Sequence, residues 1–209
     1  MKILAHRGFW KTEDEKNSFE AIRKAFQKGF GIETDIRDYR GRLVISHNIA
    51  DGKAFALEKV FECYNEQGCS LMLALNVKAD GIQDPLKVLL EKYNIRNYFM
   101  FDMSIPEQVV YRDRGFRFFT RCSDIETVPV QYGSAQGVWA DSFYSDWVSA
   151  EAVRSFLKDG KAVSLVSPEL HGKSREKLWS MLKDNDLHLE EDLYLCTDVP
   201  DIAKEYFNG

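Results

Sequence analysis

The sequence lacks several features that would decide its class at once. It has no apolar run approaching the roughly 20 residues that a bilayer-spanning helix requires, so no transmembrane segment is expected. Its first residues, Met1–Ala5, pass straight into His6-Arg7-Gly8. That leaves no space for the apolar core and cleavage site of a signal peptide, and a cytoplasmic protein is expected. Cysteine is scarce: Cys63, Cys69, Cys122 and Cys196, with no C-x-x-C pair. The four read as reduced, structural thiols. Positive charge is not in excess, with 28 Lys and Arg against 33 Asp and Glu and a net charge of −5. Phosphate-backbone binders carry a basic face, so no nucleic-acid partner is expected, although a pocket can still hold local positive charge for a small anion. No linker, low-complexity tract or basic tail interrupts the 209 residues, and one domain spanning 1–209 is expected.

What is present is an alternation. Short apolar runs at Lys2–Ala5, Ile32–Ile36, Leu43–Ser46, Leu71–Val77, Tyr98–Phe101, Phe116–Thr120, Gly137–Ala140, Ala162–Val166 and Leu193–Cys196 read as strands. Amphipathic stretches at Phe19–Lys28, Ala56–Asn65, Pro85–Tyr93, Pro106–Asp113, Ser149–Lys158, Arg175–Lys183 and Ile202–Phe207 read as helices. Asn17-Ser18 supplies a cap for the first of them, and Ser123–Val130 fits neither pattern clearly. About eight strand-then-helix repeats predict a parallel sheet with helices outside it. A TIM-type (β/α)8 barrel suits eight units, and an open doubly wound sheet competes with it. The chain is short beside the ~250 residues of a typical barrel.

The polar residues concentrate at the carboxyl ends of these runs, where β/α barrels place their active sites. The ends carry His6-Arg7, Glu33 with Asp35, His47-Asn48, Asn76 with Lys78, Asp102, Arg121, Asp141, Glu169 and Thr197-Asp198. A strand end emerging into water is polar for no further reason, and any one of these fits that description. As a set they bring two histidines, a carboxylate pair and several cations to one rim. Strand side chains alternate faces, so Glu33 and Asp35 point the same way. Two carboxylates in one small volume repel unless one is protonated or a cation lies between them. Mg²⁺ or Ca²⁺ takes oxygen ligands of this kind. Asn76 is a candidate third ligand, and Lys78 a candidate partner for a phosphate oxygen.

Only four histidines occur: His6, His47, His171 and His188. Two at the ends of neighbouring strands, flanking a carboxylate pair, suit a general acid and a general base. Arg7 can grip a phosphate through two parallel hydrogen bonds. The rim aromatics Phe9, Trp10, Trp139, Phe143, Tyr144 and Trp147 suit either a ligand wall or outer packing.

The segments His6-Arg7-Gly8, Asn17-Ser18-Phe19-Glu20-Ala21, Gly31-Ile32-Glu33-Thr34-Asp35-Ile36 and Gly41-Arg42-Leu43-Val44-Ile45-Ser46-His47 resemble, in order, the glycerophosphodiester phosphodiesterases. That family belongs to the phosphatidylinositol-phospholipase-C-like barrel superfamily. Thr197-Asp198-Val199-Pro200 is similar to the family's closing turn. The resemblance implies a TIM barrel and a metal-dependent phosphoric diester hydrolase acting on a small or lipid-derived alcohol. It implies His6 and His47 as acid–base pair, Arg7 as phosphate ligand, and Glu33 and Asp35 as metal ligands. Three features depart from the family: Asn48 stands in place of Asp, Asn76 in place of a Glu ligand, and the stretch from His47 to Asn76 has no room for the family's small insertion. Glu169 is a candidate additional ligand that would compensate for Asn76. Without the insertion, glycerol specificity does not carry over. A sphingomyelinase-D-like phosphodiesterase or cyclase, and a barrel that binds a phosphate ligand without efficient turnover, are the alternatives.

Overall fold

A computed structural model describes residues 1–68 and 70–208; the expectation for Cys69 lies outside the described residues. Among the described residues, nine strands form one sheet. β1 (Lys2–His6), β2 (Gly31–Tyr39), β4 (Leu73–Val77), β5 (Tyr98–Phe101), β6 (Phe119–Cys122), β7 (Gly137–Ala140), β8 (Ala162–Val166) and β9 (Leu193–Thr197) run parallel in the order β5-β4-β2-β1-β9-β8-β7-β6. The ring closes between β5 and β6 through one bridge, Met100 opposite Phe118, with the Met100 N–H donating to the Arg117 carbonyl at 2.9 Å. The expected TIM-type barrel is therefore what the chain forms.

Among the described residues, seven α-helices lie along the ring: α1 (Phe19–Gln27), α2 (Leu57–Glu66), α3 (Gln83–Lys92), α4 (Ile105–Asp113), α5 (Ala150–Lys158), α6 (Glu176–Asp184) and α7 (Pro200–Asn208). Ser18 and Ser149 start α1 and α5 by accepting the backbone N–H of Ala21 and Ala152, which satisfies a donor that the first turn leaves unpaired.

Two expectations are revised. β3 (Arg42–Ile45) is not a barrel strand but the antiparallel return of a hairpin whose other arm is the outer half of β2. The expected strand at Phe116–Thr120 begins at Phe119, because the Phe116 N–H still donates to the Tyr111 carbonyl and its ring packs on Tyr111, ending α4. Residues 123–130, which fit neither pattern in the sequence, form neither helix nor strand. The Ser123 hydroxyl takes the N–H groups of Ile125 and Glu126 into a local turn, as serine does when it competes with helix hydrogen bonding.

Strand parity divides the core. One face of each strand packs against the helices, as Ile32, Leu75, Val138, Leu165 and Leu195 do. The other face fills the barrel with Leu4, Ala74, Phe99, Phe101, Phe119, Trp139, Val166, Tyr194 and Cys196. Phe99 stacks on Phe119 at 3.7 Å and Phe101 on Trp139 at 3.8 Å. The interior is thus a plugged core. Ligand chemistry is left to the mouth above it.

Candidate active site

Continuing the inward parity to the carboxyl ends places His6 beside Glu33 in the β1–β2 register, and Asp35 beside Asn76 in the β2–β4 register. Glu33 and Asp35 are both buried. The Asp35 carboxylate accepts from Asn17 Nδ2 at 2.7 Å, and Arg7 Nε lies 3.1 Å from the same oxygen. Asn17 also accepts from the Thr34 hydroxyl at 2.7 Å, so it ties the β1–α1 loop to β2. That loop is tightly folded. Arg7 and Asn17 adopt left-handed backbone, and Gly8 sits at φ +93°, where a Cβ would fall 2.6 Å from the Ala21 carbonyl carbon. Only glycine fits there.

Asn76 donates to Glu33 at 3.2 Å. Burial first, and then the charge of Asp35, push the Glu33 carboxyl up to about 7. Glu33 Oε2, Asp35 Oδ1 and Asn76 Oδ1 are all buried acceptors without a hydrogen-bond donor. Buried oxygens are almost always paired, so three orphans on adjacent strands form an incomplete polar site. Oxygen-only donors of this type fit a hard divalent cation. Among the described residues no point gathers three His, Cys, Asp or Glu side chains; two carboxylates and one amide make up this set.

His6 Nδ1 lies 2.5 Å from Asp198 Oδ1, and its Nε2 is 3.8 Å from Glu33 Oε2. Burial pushes the Asp198 carboxyl up, but the hydrogen bond and charge of His6, with Lys16 at 3.5 Å, outweigh it and hold the group below the usual range. The result is an ionised carboxylate that orients the imidazole. Sequence reading placed Asp198 on the rim but gave it no role, since its partner lies 192 residues away.

Glu169, expected as an additional ligand, is engaged elsewhere. It accepts from the Ser167 hydroxyl at 2.5 Å, from the Thr197 hydroxyl, and from the Asp198 N–H at 3.3 Å. It braces the turn that carries Asp198. Lys78 sits 3.0 Å from Asp102 and 3.8 Å from the unbonded oxygen of Asp35, and Arg121 bridges Asp102 and Glu126. Burial opposes ionisation of Asp102, yet Lys78 and Arg121 hold its carboxyl below the ordinary value. His171 pairs with Asp141 at 2.7 Å.

His47 follows the β2–β3 hairpin and is exposed. Arg37 Nε and Nη2 each reach its carbonyl at 3.2 Å, and its Nδ1 lies 3.1 Å from Asn48 Oδ1. With Arg7, Lys16 and Lys53 it lines an open cleft of about 460 Å³. The rim aromatics divide. Trp139 belongs to the plug, Phe9 packs on Phe30, and Trp10 donates to the His6 carbonyl at 2.9 Å. Trp147 donates to the Asp141 carbonyl at 2.5 Å, Phe143 packs on His171, and Tyr144 is exposed.

Fold and site together define a β/α barrel whose mouth brings a buried carboxylate pair, a histidine–carboxylate pair and several basic side chains together. Solved structures with this architecture include a glycerophosphodiester phosphodiesterase from Agrobacterium tumefaciens, at TM-score 0.72 and 16% identity over 100% of both chains. A phosphodiesterase from Oleispira antarctica, in complex with the product sn-glycerol-3-phosphate, matches at TM-score 0.72 and 13% identity over 100% of this chain and 97% of that one. A glycerophosphodiester phosphodiesterase from Thermotoga maritima matches at TM-score 0.67 and 16% identity over 97% of each. At such identities the likeness is one of fold. No protein-family model and no curated protein sequence matches the chain.

Proposed function

We propose that the protein is a phosphoric diester hydrolase of the glycerophosphodiester phosphodiesterase kind, assisted by a divalent cation. The observation that carries this reading is the group of three orphaned oxygens, on Glu33, Asp35 and Asn76, set between Arg7 and the His6–Asp198 pair. The fold of the solved phosphodiesterases supports it.

Glu33, Asp35 and Asn76 would hold Mg²⁺ or Ca²⁺, which when bound draws off charge from non-bridging phosphate oxygens. Arg7 supplies a guanidinium to orient the phosphate, and Lys78 adds a second cation beside Asp35. His6, fixed by Asp198 through Nδ1, presents Nε2 to the mouth and moves a proton there. The ionised Asp198 stabilises the imidazolium that this creates. His47, on the wall of the cleft it shares with Arg7, is the complementary acid or base. The glycerol phosphate held by the Oleispira protein makes glycerophosphodiesters the first substrates to test.

The test is turnover of glycerophosphodiesters with Mg²⁺, Ca²⁺ or Mn²⁺ and after exhaustive chelation. Activity should require the cation. His6→Ala and His47→Ala should each lower kcat by at least about a hundredfold without changing the melting temperature. Wild-type rates in either variant would sink the acid–base assignment, and activity surviving chelation would remove the cation. Tight phosphate binding with no turnover of any diester would leave a binding barrel instead.

A further inference from the structure

Lys78 stands between two carboxylates. Its Nζ lies 3.0 Å from Asp102 Oδ2 and 3.8 Å from Asp35 Oδ1. Both are within reach of an ion pair, but only the first is a hydrogen bond. The second carboxylate is the more confined: Asp35 is fully buried, and its Oδ1 meets no hydrogen-bond donor. A buried oxygen without a donor is costly, and the ammonium beside it is the group that would relieve it. Lys78 is therefore being held back.

Asp102 holds it, and the backbone shows how. Along β5 the side chains alternate: Phe99 and Phe101 fill the barrel, while Met100 packs toward the helices. Continued by one residue, that period of two would send Asp102 outward as well. Instead Asp102 adopts left-handed backbone at φ +68°, a region that residues other than glycine rarely enter. Its carboxylate comes back over the mouth and meets Lys78, two residues after Asn76, and Arg121, two residues after the inward Phe119. Arg121 takes the other oxygen of Asp102 and is itself held by Glu126 at 2.6 Å. Asp102 is thus fixed from behind, and its Oδ2 is left for Lys78. Unusual backbone of this kind persists where the surroundings over-determine it, and it clusters at functional sites.

We infer that Asp102 is a positioning residue: by drawing Lys78 away from Asp35 it keeps Asp35 Oδ1 open to the divalent cation, while the ammonium stays on the rim beside it. This inference rests on the cation proposed above. Without Asp102, Lys78 would pair with Asp35 Oδ1 itself, a lysine in the place of the metal. Arg7 already lies against the other oxygen of Asp35, so a second basic group would leave that carboxylate little to offer a metal ion. The competition is sharp in this chain because Asn76 brings no charge to the donor set.

The experiment is calorimetric titration of the full chain with Mn²⁺, without substrate, across wild type, Asp102→Asn, Lys78→Met and the double variant. Asparagine tolerates left-handed backbone, so the fold should survive. Asp102→Asn should weaken Mn²⁺ binding about ten- to hundredfold, the effect expected when a partner behind a metal site is lost. Asp102→Ser, which removes the charge without adding an amide, should act in the same direction and serves if Asp102→Asn does not fold. Lys78→Met should change the affinity of wild type far less than it raises that of Asp102→Asn, so that the double variant binds as tightly as wild type or better. A through-space charge effect with no repositioning would instead be additive, with Lys78→Met gaining as much in wild type as in the variant. Wild-type affinity in the Asp102 variants, or an additive cycle, would overturn the positioning role and leave the cation site standing. Wild type that takes up no Mn²⁺ would overturn the cation site and this role with it.

Discussion

Glu33 is a carboxyl group with almost no water, a second carboxylate on its own strand and a histidine 3.8 Å away. Burial and Asp35 raise it from an ordinary 4.5 to about 7. The folded state therefore holds the Glu33 proton more tightly than the unfolded chain does. That stabilisation is complete below about 4.5 and is lost as pH rises through about 7. At 1.36 kcal/mol per unit it is on the order of 3 kcal/mol. In chelator, the melting temperature should fall between the two values, and Glu33→Gln should flatten the curve. Added Mg²⁺ should restore the loss at neutral pH, because a cation replaces the proton. A flat profile in wild type would mean that the carboxyl is solvated rather than confined. Gly8 acts at the same scale in another way: its backbone angle lets Arg7 and Asn17 turn back onto Asp35, a fold of the loop that a Cβ would block.

Among the elements, the β2–β3 hairpin does the least expected thing. The outer half of β2 leaves the barrel and returns antiparallel, which carries His47 away from the ring of strand ends and onto the wall of the cleft. Its position then depends on Arg37, whose guanidinium grips the His47 carbonyl from two nitrogens. On the acid–base role proposed for His47, Arg37→Met should release this grip and lower kcat roughly ten- to hundredfold, with KM and melting temperature little changed, since small misplacements of a catalytic group have effects of that size. An unchanged kcat would show that the hairpin is rigid without it. The 3-10 turn at Pro168–His171 serves the other histidine: Glu169 on it braces the Asp198 turn, and Asp198 orients His6.

For the whole molecule, the barrel is small and its interior aromatic. Phe101, stacked on Trp139, lies directly beside Asn76 in the β4–β5 register and below Asp102. Phe101→Ala should cost about 3–5 kcal/mol in denaturant unfolding and loosen the floor under the site; a loss under about 1 kcal/mol would show that the plug repacks. Much of this plan was legible in the sequence. Alternating runs define strands and helices, and a period of two puts Glu33 with Asp35, and Asn76 with Lys78, on one side of each strand, because parity is a local property of the backbone. The resemblance of His6-Arg7-Gly8 and Glu33-Thr34-Asp35 pointed to the same rim. Tertiary structure alone decided the pairings. Closure of the ring sets β1 beside β9 and so brings Asp198 to His6, turns Glu169 into a brace, and leaves three oxygens of Glu33, Asp35 and Asn76 without donors. It also set β3 against β2 rather than in the ring. The physical reason is distance along the chain: periodicity reports what neighbouring residues do, whereas a contact between residues nearly two hundred apart exists only once the barrel closes.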